Sequence, residues 1–113
     1  MKNHRKQPRY PLKTAIQAIN VINGRSLGVL TNLSAGGFLL MCGREGPKRG
    51  DIYQLHLLDP KEHSLDIMVG ATCAWREEAH ATNNFWCGFH FIDVSPEAQQ
   101  ALDRFLERLE KQG

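Results

Sequence analysis

Two arginines near the N-terminus are the side chains best suited to hold an anion. Arg5 and Arg9 are spaced Arg-x-x-x-Arg within residues 1–13, a segment with five basic side chains and no acidic one. A guanidinium group is a planar fork that can grip a phosphate or the O6/N7 edge of guanine, and it can stack on a base. The segment therefore predicts contact with the phosphates of a nucleic acid, a nucleotide or a membrane surface.

A second polar group lies further along the chain, in Asn32-Leu33-Ser34-Ala35-Gly36-Gly37. Asn32 and Ser34 are two residues apart at a predicted strand end, so their side chains are expected on the same side. Both can donate to and accept from a base edge. The glycines Gly36 and Gly37 allow an unusual backbone and close approach of a ligand. The alternative is a simple turn, in which Asn and Ser bond to their own backbone.

Together the two motifs resemble the signature of the PilZ family, Arg-x-x-x-Arg followed by (Asp/Asn)-x-Ser-x-x-Gly. Here the first reads Arg5-Lys6-Gln7-Pro8-Arg9 and the second begins at Asn32. The resemblance extends over nearly the whole chain, and the protein looks like a stand-alone member of the family. Three further segments carry it: Gly37-Phe38-Leu39-Leu40, Ala74-Trp75 and Gly88-Phe89-His90-Phe91.

The resemblance implies a receptor for cyclic di-GMP that is not an enzyme and needs no cofactor besides this ligand. PilZ domains are six-stranded β-barrels that bind cyclic di-GMP across the outer surface, with the N-terminal arm wrapping over it. By resemblance, Arg5 and Arg9 engage guanine and phosphate, while Asn32, Ser34 and Gly37 read the other guanine. A protein partner would receive the signal. The further candidates for ligand contact are His4, Lys6, Gly36 and Trp75.

Three of these positions leave alternatives open. In the family, the residue before the first arginine influences whether one ligand or a stacked pair binds. Here that residue is His4, which is neither clearly basic nor apolar and therefore predicts neither stoichiometry. Asn32 stands where Asp is also common, and an uncharged amide is expected to bind guanine more weakly than a carboxylate. Trp75 could cover the ligand, but its alternation with Ile67, Val69 and other residues of its predicted strand groups it with the core.

The elements that must position these residues are mainly β. Pro8 and Pro11 discourage helix in residues 1–13, which we interpret as a flexible or extended basic arm. Asn23-Gly24 predicts a tight hairpin turn with positive φ at both positions. Loops are expected at Gly43–Asp51 and Arg76–Asn84. Alternation of apolar residues predicts strands over Thr14–Ile22, Ser26–Leu33, Phe38–Cys42, Ile52–Leu58, Ser64–Trp75 and Phe85–Ile92.

A helix is predicted at the C-terminus. Ser95 is a good N-cap and Pro96 suits the first helical position. An apolar stripe follows at helical spacing and would pack on the sheet or, alternatively, bind a partner. Six strands and one helix predict a six-stranded antiparallel β-barrel, residues 14–113, with a C-terminal α-helix. The stripe consists of Ala98, Leu102, Phe105, Leu106 and Leu109.

Length and composition restrict the function further. A chain of 113 residues, 42% hydrophobic and 23% charged, fits one ordinary globular domain. It has no apolar run of membrane-spanning length and no secretory core at its start, so we expect no membrane span and a cytoplasmic location. No two of the three cysteines are spaced as Cys-x-x-Cys, and we interpret all three as reduced, buried side chains.

Catalysis and metal binding are disfavoured. Ser34 lacks the Gly-x-Ser-x-Gly context of a nucleophile because Asn32 replaces the first glycine. Cys87 and His90 are three apart on a strand and would face opposite sides, so no metal site is expected. Two alternatives to a cyclic di-GMP receptor stay open. One is a small β-barrel that binds nucleic acid, which a net charge of +2 disfavours; the other is a PilZ-like protein-interaction module without nucleotide.

Overall fold

Antiparallel strands and a C-terminal helix form the part of the chain that this computed structural model describes, residues 10–12, 14–79 and 83–112. The fold is mainly β, as the sequence predicts. The elements are β1 (Tyr10–Pro11), β2 (Gln17–Asn20), β3 (Ser26–Leu33), β4 (Gly37–Cys42), β5 (Ile52–Leu58), β6 (Asp66–Glu78), β7 (Phe85–Val94) and α1 (Pro96–Gln112).

Six of the strands close into a barrel. They follow the order β3-β2-β5-β6-β7-β4, and β4 pairs back with β3, so every barrel strand has two neighbours. This closure confirms the predicted six-stranded antiparallel barrel and removes the exposed edges of an open sheet. Strand β1 is an addition to the barrel: it pairs with the end of β3, at Leu33 and Asn32, beyond the stretch that pairs with β2.

Aromatic and aliphatic side chains fill the barrel. The rings of Phe38 and Phe89 stack with centroids 4.9 Å apart, and Tyr53 approaches Phe89 at 6.1 Å. Such ring pairs contribute about 0.5–1.5 kcal/mol each beyond the burial of their area. The large aliphatic side chains that are fully shielded from solvent are Ile16, Leu33, Leu40, Leu55, Leu57, Leu65, Leu102 and Val69.

Helix α1 covers the barrel with its apolar stripe. Ser95 caps it, because its Oγ accepts a hydrogen bond of 3.1 Å from the Ala98 amide. Leu102 and Phe105 are buried in the same core as the barrel residues, which confirms packing within the chain. In the ranges that the structure describes, no helix is both long and apolar enough to cross a bilayer.

The hairpin between β2 and β3 differs from the prediction. Strand β2 ends at Asn20 rather than Ile22, and Asn20 closes a wider loop by donating its amide to the Arg25 carbonyl at 2.8 Å. Within this loop, which the structure describes in full, Gly24 alone has a positive φ, of 74°. The predicted strand is too long because Ile22 is apolar but 87% exposed, and its side chain therefore contributes no packing that would extend the strand.

Strand β6 is longer than predicted and runs past Trp75 to Glu78. Arg76 explains the extension, because its guanidinium lies 3.9 Å from the ring centroid of Phe85 on β7. The same group donates to the carbonyls of Pro47 at 2.6 Å and Arg44 at 2.7 Å. The sequence predicts a loop that begins at Arg76, but this residue lies within β6. Its hydrogen bonds join β6 to the loop between β4 and β5.

A buried carboxylate organises the turn between β5 and β6. Asp59 accepts hydrogen bonds from the Ser64 hydroxyl at 2.6 Å and from the Lys61, Glu62 and Ser64 amides at 3.0–3.2 Å. The hydrogen bond from the Ser64 hydroxyl, helped by the amides and opposed by burial, lowers the pKa of Asp59 to about 2. The turn brings His63 to a positive φ of 56°.

Replacing Asp59 by Asn should lower the melting temperature (Tm) at pH 7 by several degrees. The reason is that one carboxylate oxygen becomes an NH₂ group, which faces the amide and hydroxyl donors that the oxygen had accepted from. The folded pKa of Asp59 lies below the ordinary value of 3.8. Its stabilisation is therefore complete above that value and is lost as the pH falls toward about 2. Calorimetry should show the Tm difference between wild type and Asp59→Asn shrinking with acidification. A control, the exposed Asp103→Asn, should barely change Tm, and a difference independent of pH would contradict this account.

Candidate ligand-binding site

The strand register places one row of residues across the outside of the barrel. Side chains on paired strands that occupy the same position in the register share a face. Starting at Asn32 on β3, the row crosses β4 and β7 and ends at Trp75 on β6. We call this set the outer row: Asn32, Leu39, Gly88 and Trp75.

The neighbouring row points into the barrel. Leu33, Phe38 and Phe89 pair in the same strand order and have no exposed surface. Because side chains alternate along each strand, burial of this inner row forces the outer row to the surface. The hydrophobic core therefore fixes the side on which Asn32 and Trp75 are presented.

Two β-bulges keep the outer row aligned. One shifts the register of β6 between Cys73 and Trp75. As a result, Cys73 faces the core whereas Trp75 faces outward. Trp75 is 40% exposed, and the sequence-based grouping of Trp75 with the core is wrong for this reason. The other bulge, in β3 between Leu30 and Asn32, lets Leu30 and Leu33 both reach the core while Asn32 stays half-buried.

Trp75 rests on a glycine. A β-carbon at Gly88 would overlap the indole, Nε1 and Cε2 being the nearest atoms. Gly88 therefore makes the space in which the ring lies against β7. An indole held this way offers an aromatic surface on the outside of the barrel.

Ser34 and the two glycines build the turn that follows Asn32. The Ser34 hydroxyl donates to the Gly37 carbonyl at 3.3 Å and accepts from the Gly36 amide at 3.2 Å. Ser34 is only 3% exposed, so the simple-turn alternative describes its contacts in this structure. Neither glycine has a positive φ, which corrects the expected unusual backbone. Gly37 is needed for space instead, because a β-carbon there would overlap the Phe89 carbonyl.

The arginine motif lies outside the described residues, as do His4 and Lys6. Its point of attachment is clear, since Tyr10 follows Arg9 and pairs with Leu33 next to Asn32. Tyr10 and Leu12 also pack against the core. The end of the predicted arm is thus extended at Tyr10–Pro11, where it pairs with β3.

His90 is a neighbour of the site that the sequence does not predict to contact a ligand. It pairs with Gly37 on one side and Thr72 on the other, and its side chain is exposed. It lies two residues from Gly88 on the same face of β7. Alternation could have identified it, because an outward position must lie between the inward ones. The predicted inward positions of this strand are Phe85, Cys87, Phe89 and Phe91.

The surface around the outer row suits a flat anionic ligand. Its side chains are an amide at Asn32, an aliphatic group at Leu39 and an indole at Trp75, flanked by Thr72 and His90. None of these is a carboxylate that would repel a phosphate, and the neighbouring carboxylate of Glu77 lies beyond Trp75, where it pairs with Trp86. The row therefore combines hydrogen-bonding groups at one end with a stacking surface at the other.

The cysteines belong to the core and not to this site. Cys42, Cys73 and Cys87 are free and buried, as the sequence interpretation expects. Burial raises the pKa of the Cys73 and Cys87 thiols, which keeps them protonated at neutral pH. Within the described ranges, no group of three or more His, Cys, Asp or Glu side chains is arranged to hold a metal ion.

The close approach at Gly37 can be tested by adding one methyl group. Gly37→Ala should lower the free energy of unfolding by about 3 kcal/mol, because β4 and β7 must separate locally. Gly43→Ala is the matched control, since a β-carbon there meets no atom within 4 Å. Urea unfolding measures both variants. Equal stability of the two would show that Gly37 is not required for the pairing of β4 with β7.

Solved structures share this fold. The PilZ domain of YcgR from Escherichia coli, with c-di-GMP, is 18% identical, with a TM-score of 0.75 over 97% of this chain and 94% of that one. The inhibitor of motility MotI/DgrA from Bacillus subtilis is 18% identical (TM-score 0.74, 97% and 53%). The MrkH–c-di-GMP complex of K. pneumonia is 14% identical (TM-score 0.78, 99% and 55%). The chain thus spans about half the length of the MotI and MrkH chains.

The sequence itself matches a family model. Comparison with curated proteins finds no match. The model of the PilZ domain, however, matches residues 3–108, a range that includes both Arg5 and Arg9 as well as the turn after Asn32. Because this match covers most of the chain and the barrel agrees with it, the chain belongs to the PilZ family.

Proposed function

We propose that this chain is a receptor for cyclic di-GMP that binds its ligand along the outer row. The observation that carries the proposal is the register, which aligns Asn32 with Trp75 and attaches the segment bearing Arg9 beside Asn32. The family match and the c-di-GMP complexes of YcgR and MrkH support it.

The two ends of the row offer different chemistry to the two guanine bases. Asn32 can donate to and accept from a guanine edge, whereas Trp75 offers a ring on which a base stacks. They are three strand spacings apart, roughly 14 Å around the barrel. In this proposal Arg5 and Arg9 reach over the row from β1 and bind the phosphates and the exposed base faces.

The remaining candidates have supporting roles in the proposal. Ser34, Gly36 and Gly37 hold the turn that presents Asn32, and Ser34 engages its own backbone rather than acting as a nucleophile. His4 and Lys6 flank Arg5, and Lys6 adds positive charge near the phosphates. We propose a receptor without catalytic activity and without a cofactor.

Signalling would follow from fixing residues 1–9 against the barrel. Ordering a segment on binding costs roughly 2–5 kcal/mol, and charge-assisted hydrogen bonds of about 1.5–3 kcal/mol each can offset this cost. The bound segment and ligand together form a surface that a protein partner can distinguish from the free domain. The receptor would thus act as an adaptor.

Calorimetry should show that cyclic di-GMP binds at least about 10-fold more tightly than cyclic di-AMP, because adenine presents a donor where guanine presents O6. Arg5→Ala and Arg9→Ala should each weaken binding by about 1.5 kcal/mol or more. Arg25→Ala, an exposed arginine in the β2–β3 loop, is the control and should bind normally. Equal affinity for the two cyclic dinucleotides, or tighter binding of a short oligonucleotide, would contradict the proposal.

Tryptophan fluorescence can test whether a base stacks on Trp75, because the chain has only one other tryptophan, Trp86. In a Trp86→Phe variant the remaining Trp75 should be strongly quenched by cyclic di-GMP, because a guanine stacks on its exposed indole. In the complementary Trp75→Phe variant, Trp86 should change less, because it is half-buried and pairs with Glu77, beyond the end of the outer row. If both variants respond equally, or only Trp86 responds, the base does not lie on Trp75.

A further inference from the structure

A cleft of about 240 Å³ lies between α1 and the turn that joins β5 to β6. It is separate from the outer row, because its walls come from residues 63–66 and from the middle of the helix, between Ala101 and Arg108. The polar and helical residues that line it include His63, Ser64, Asp66, Ala101, Arg104 and Arg108.

The walls of the cleft are held in place. The buried carboxylate of Asp59 fixes the turn through its hydrogen bonds to Ser64 and to neighbouring amides. Arg108 then joins the helix to this turn, because its Nη2 donates to the Ser64 carbonyl at 3.0 Å. A ligand would therefore meet a cleft whose two sides are already positioned.

Positive charge in the cleft exceeds negative charge. Arg104 and Arg108 are one helical turn apart and line the same space. Among the described residues, no hydrogen bond or ion pair engages the Arg104 side chain. The carboxylate that lines the cleft, Asp66, is already bound by His56, whose Nε2 lies 2.6 Å from its Oδ1. Arg104 is thus available to an anion from outside the domain.

The cleft continues along the helix into a less polar one. A second cleft of about 270 Å³ shares Asp66 and Ala101 with the first and is lined by Met68 and Glu97. Met68 is 56% exposed, so an apolar side chain is presented to solvent there. The two clefts form a groove beside α1 with arginines at one end and, at the other, a mainly apolar surface that also carries the Glu97 carboxylate.

We propose that this groove binds an acidic segment of a protein partner. A carboxylate of the segment would lie between Arg104 and Arg108, and an apolar side chain beside it would cover Met68. A free anion would occupy the basic end and leave the apolar end open, which favours a peptide as the occupant. The inference rests on the proposed adaptor role, to which it adds a place where the partner binds.

The test uses a fluorescein-labelled peptide of alternating glutamate and leucine, with fluorescence anisotropy as the readout. Arg104→Gln should weaken peptide binding about fivefold, the upper range for partly exposed ion pairs. Arg104→Glu should weaken it further. Arg25→Gln removes the same charge from a residue outside the groove and should leave binding unchanged. Unchanged Tm would show that the Arg104 variants are folded.

Two outcomes would overturn the proposal. Arg104→Gln could bind the peptide as tightly as Arg25→Gln, which would indicate attraction by the overall charge. Inorganic phosphate could displace the peptide where chloride at equal ionic strength does not, which would indicate a site for a free anion. Titration with cyclic di-GMP separates this proposal from the receptor function: Arg104→Gln should bind it normally, and wild type that fails to bind it would contradict only the proposed function.

Discussion

Pairing of β3 with three other strands is the constraint on which the rest of the structure depends. Along its first half β3 pairs with β2, and around Asn32 and Leu33 it pairs with both β1 and β4. The pairing with β4 closes the barrel, and the pairing with β1 attaches the N-terminal segment at the same place. A close approach of β4 to β7 at Gly37 completes the closure, because no side chain separates Gly37 from the Phe89 carbonyl.

Closure of the barrel determines which residues face a ligand. Once Leu33, Phe38 and Phe89 are buried together, alternation presents Asn32 and Trp75 on the outside. The hydrophobic effect thus positions the polar and aromatic groups of the outer row. The groove beside α1 depends on both kinds of contact, because the apolar stripe packs α1 on the barrel, while hydrogen bonds of Asp59 and Arg108 hold the facing turn.

Much of the fold could be predicted from sequence, because it follows from local patterns. The bounds of Ser26–Leu33 and Ile52–Leu58 are confirmed, as is the start of the helix after Ser95. Alternation predicts the wrong face for Trp75 because a bulge adds one residue and reverses the alternation, and no residue type signals that bulge. The role of Arg76 could not be predicted either, since its partners Arg44 and Pro47 lie about thirty residues away in the chain.

The most direct test of the account is an NMR titration of the ¹⁵N-labelled protein with cyclic di-GMP. The account predicts that the amide signals of Arg5, Arg9 and Asn32 and the indole N–H signal of Trp75 change together, with one dissociation constant. Such a result would show that the N-terminal motif and the two ends of the outer row form one site. Changes confined to residues 1–9, or changes at the groove beside α1 with none at Asn32 and Trp75, would contradict it.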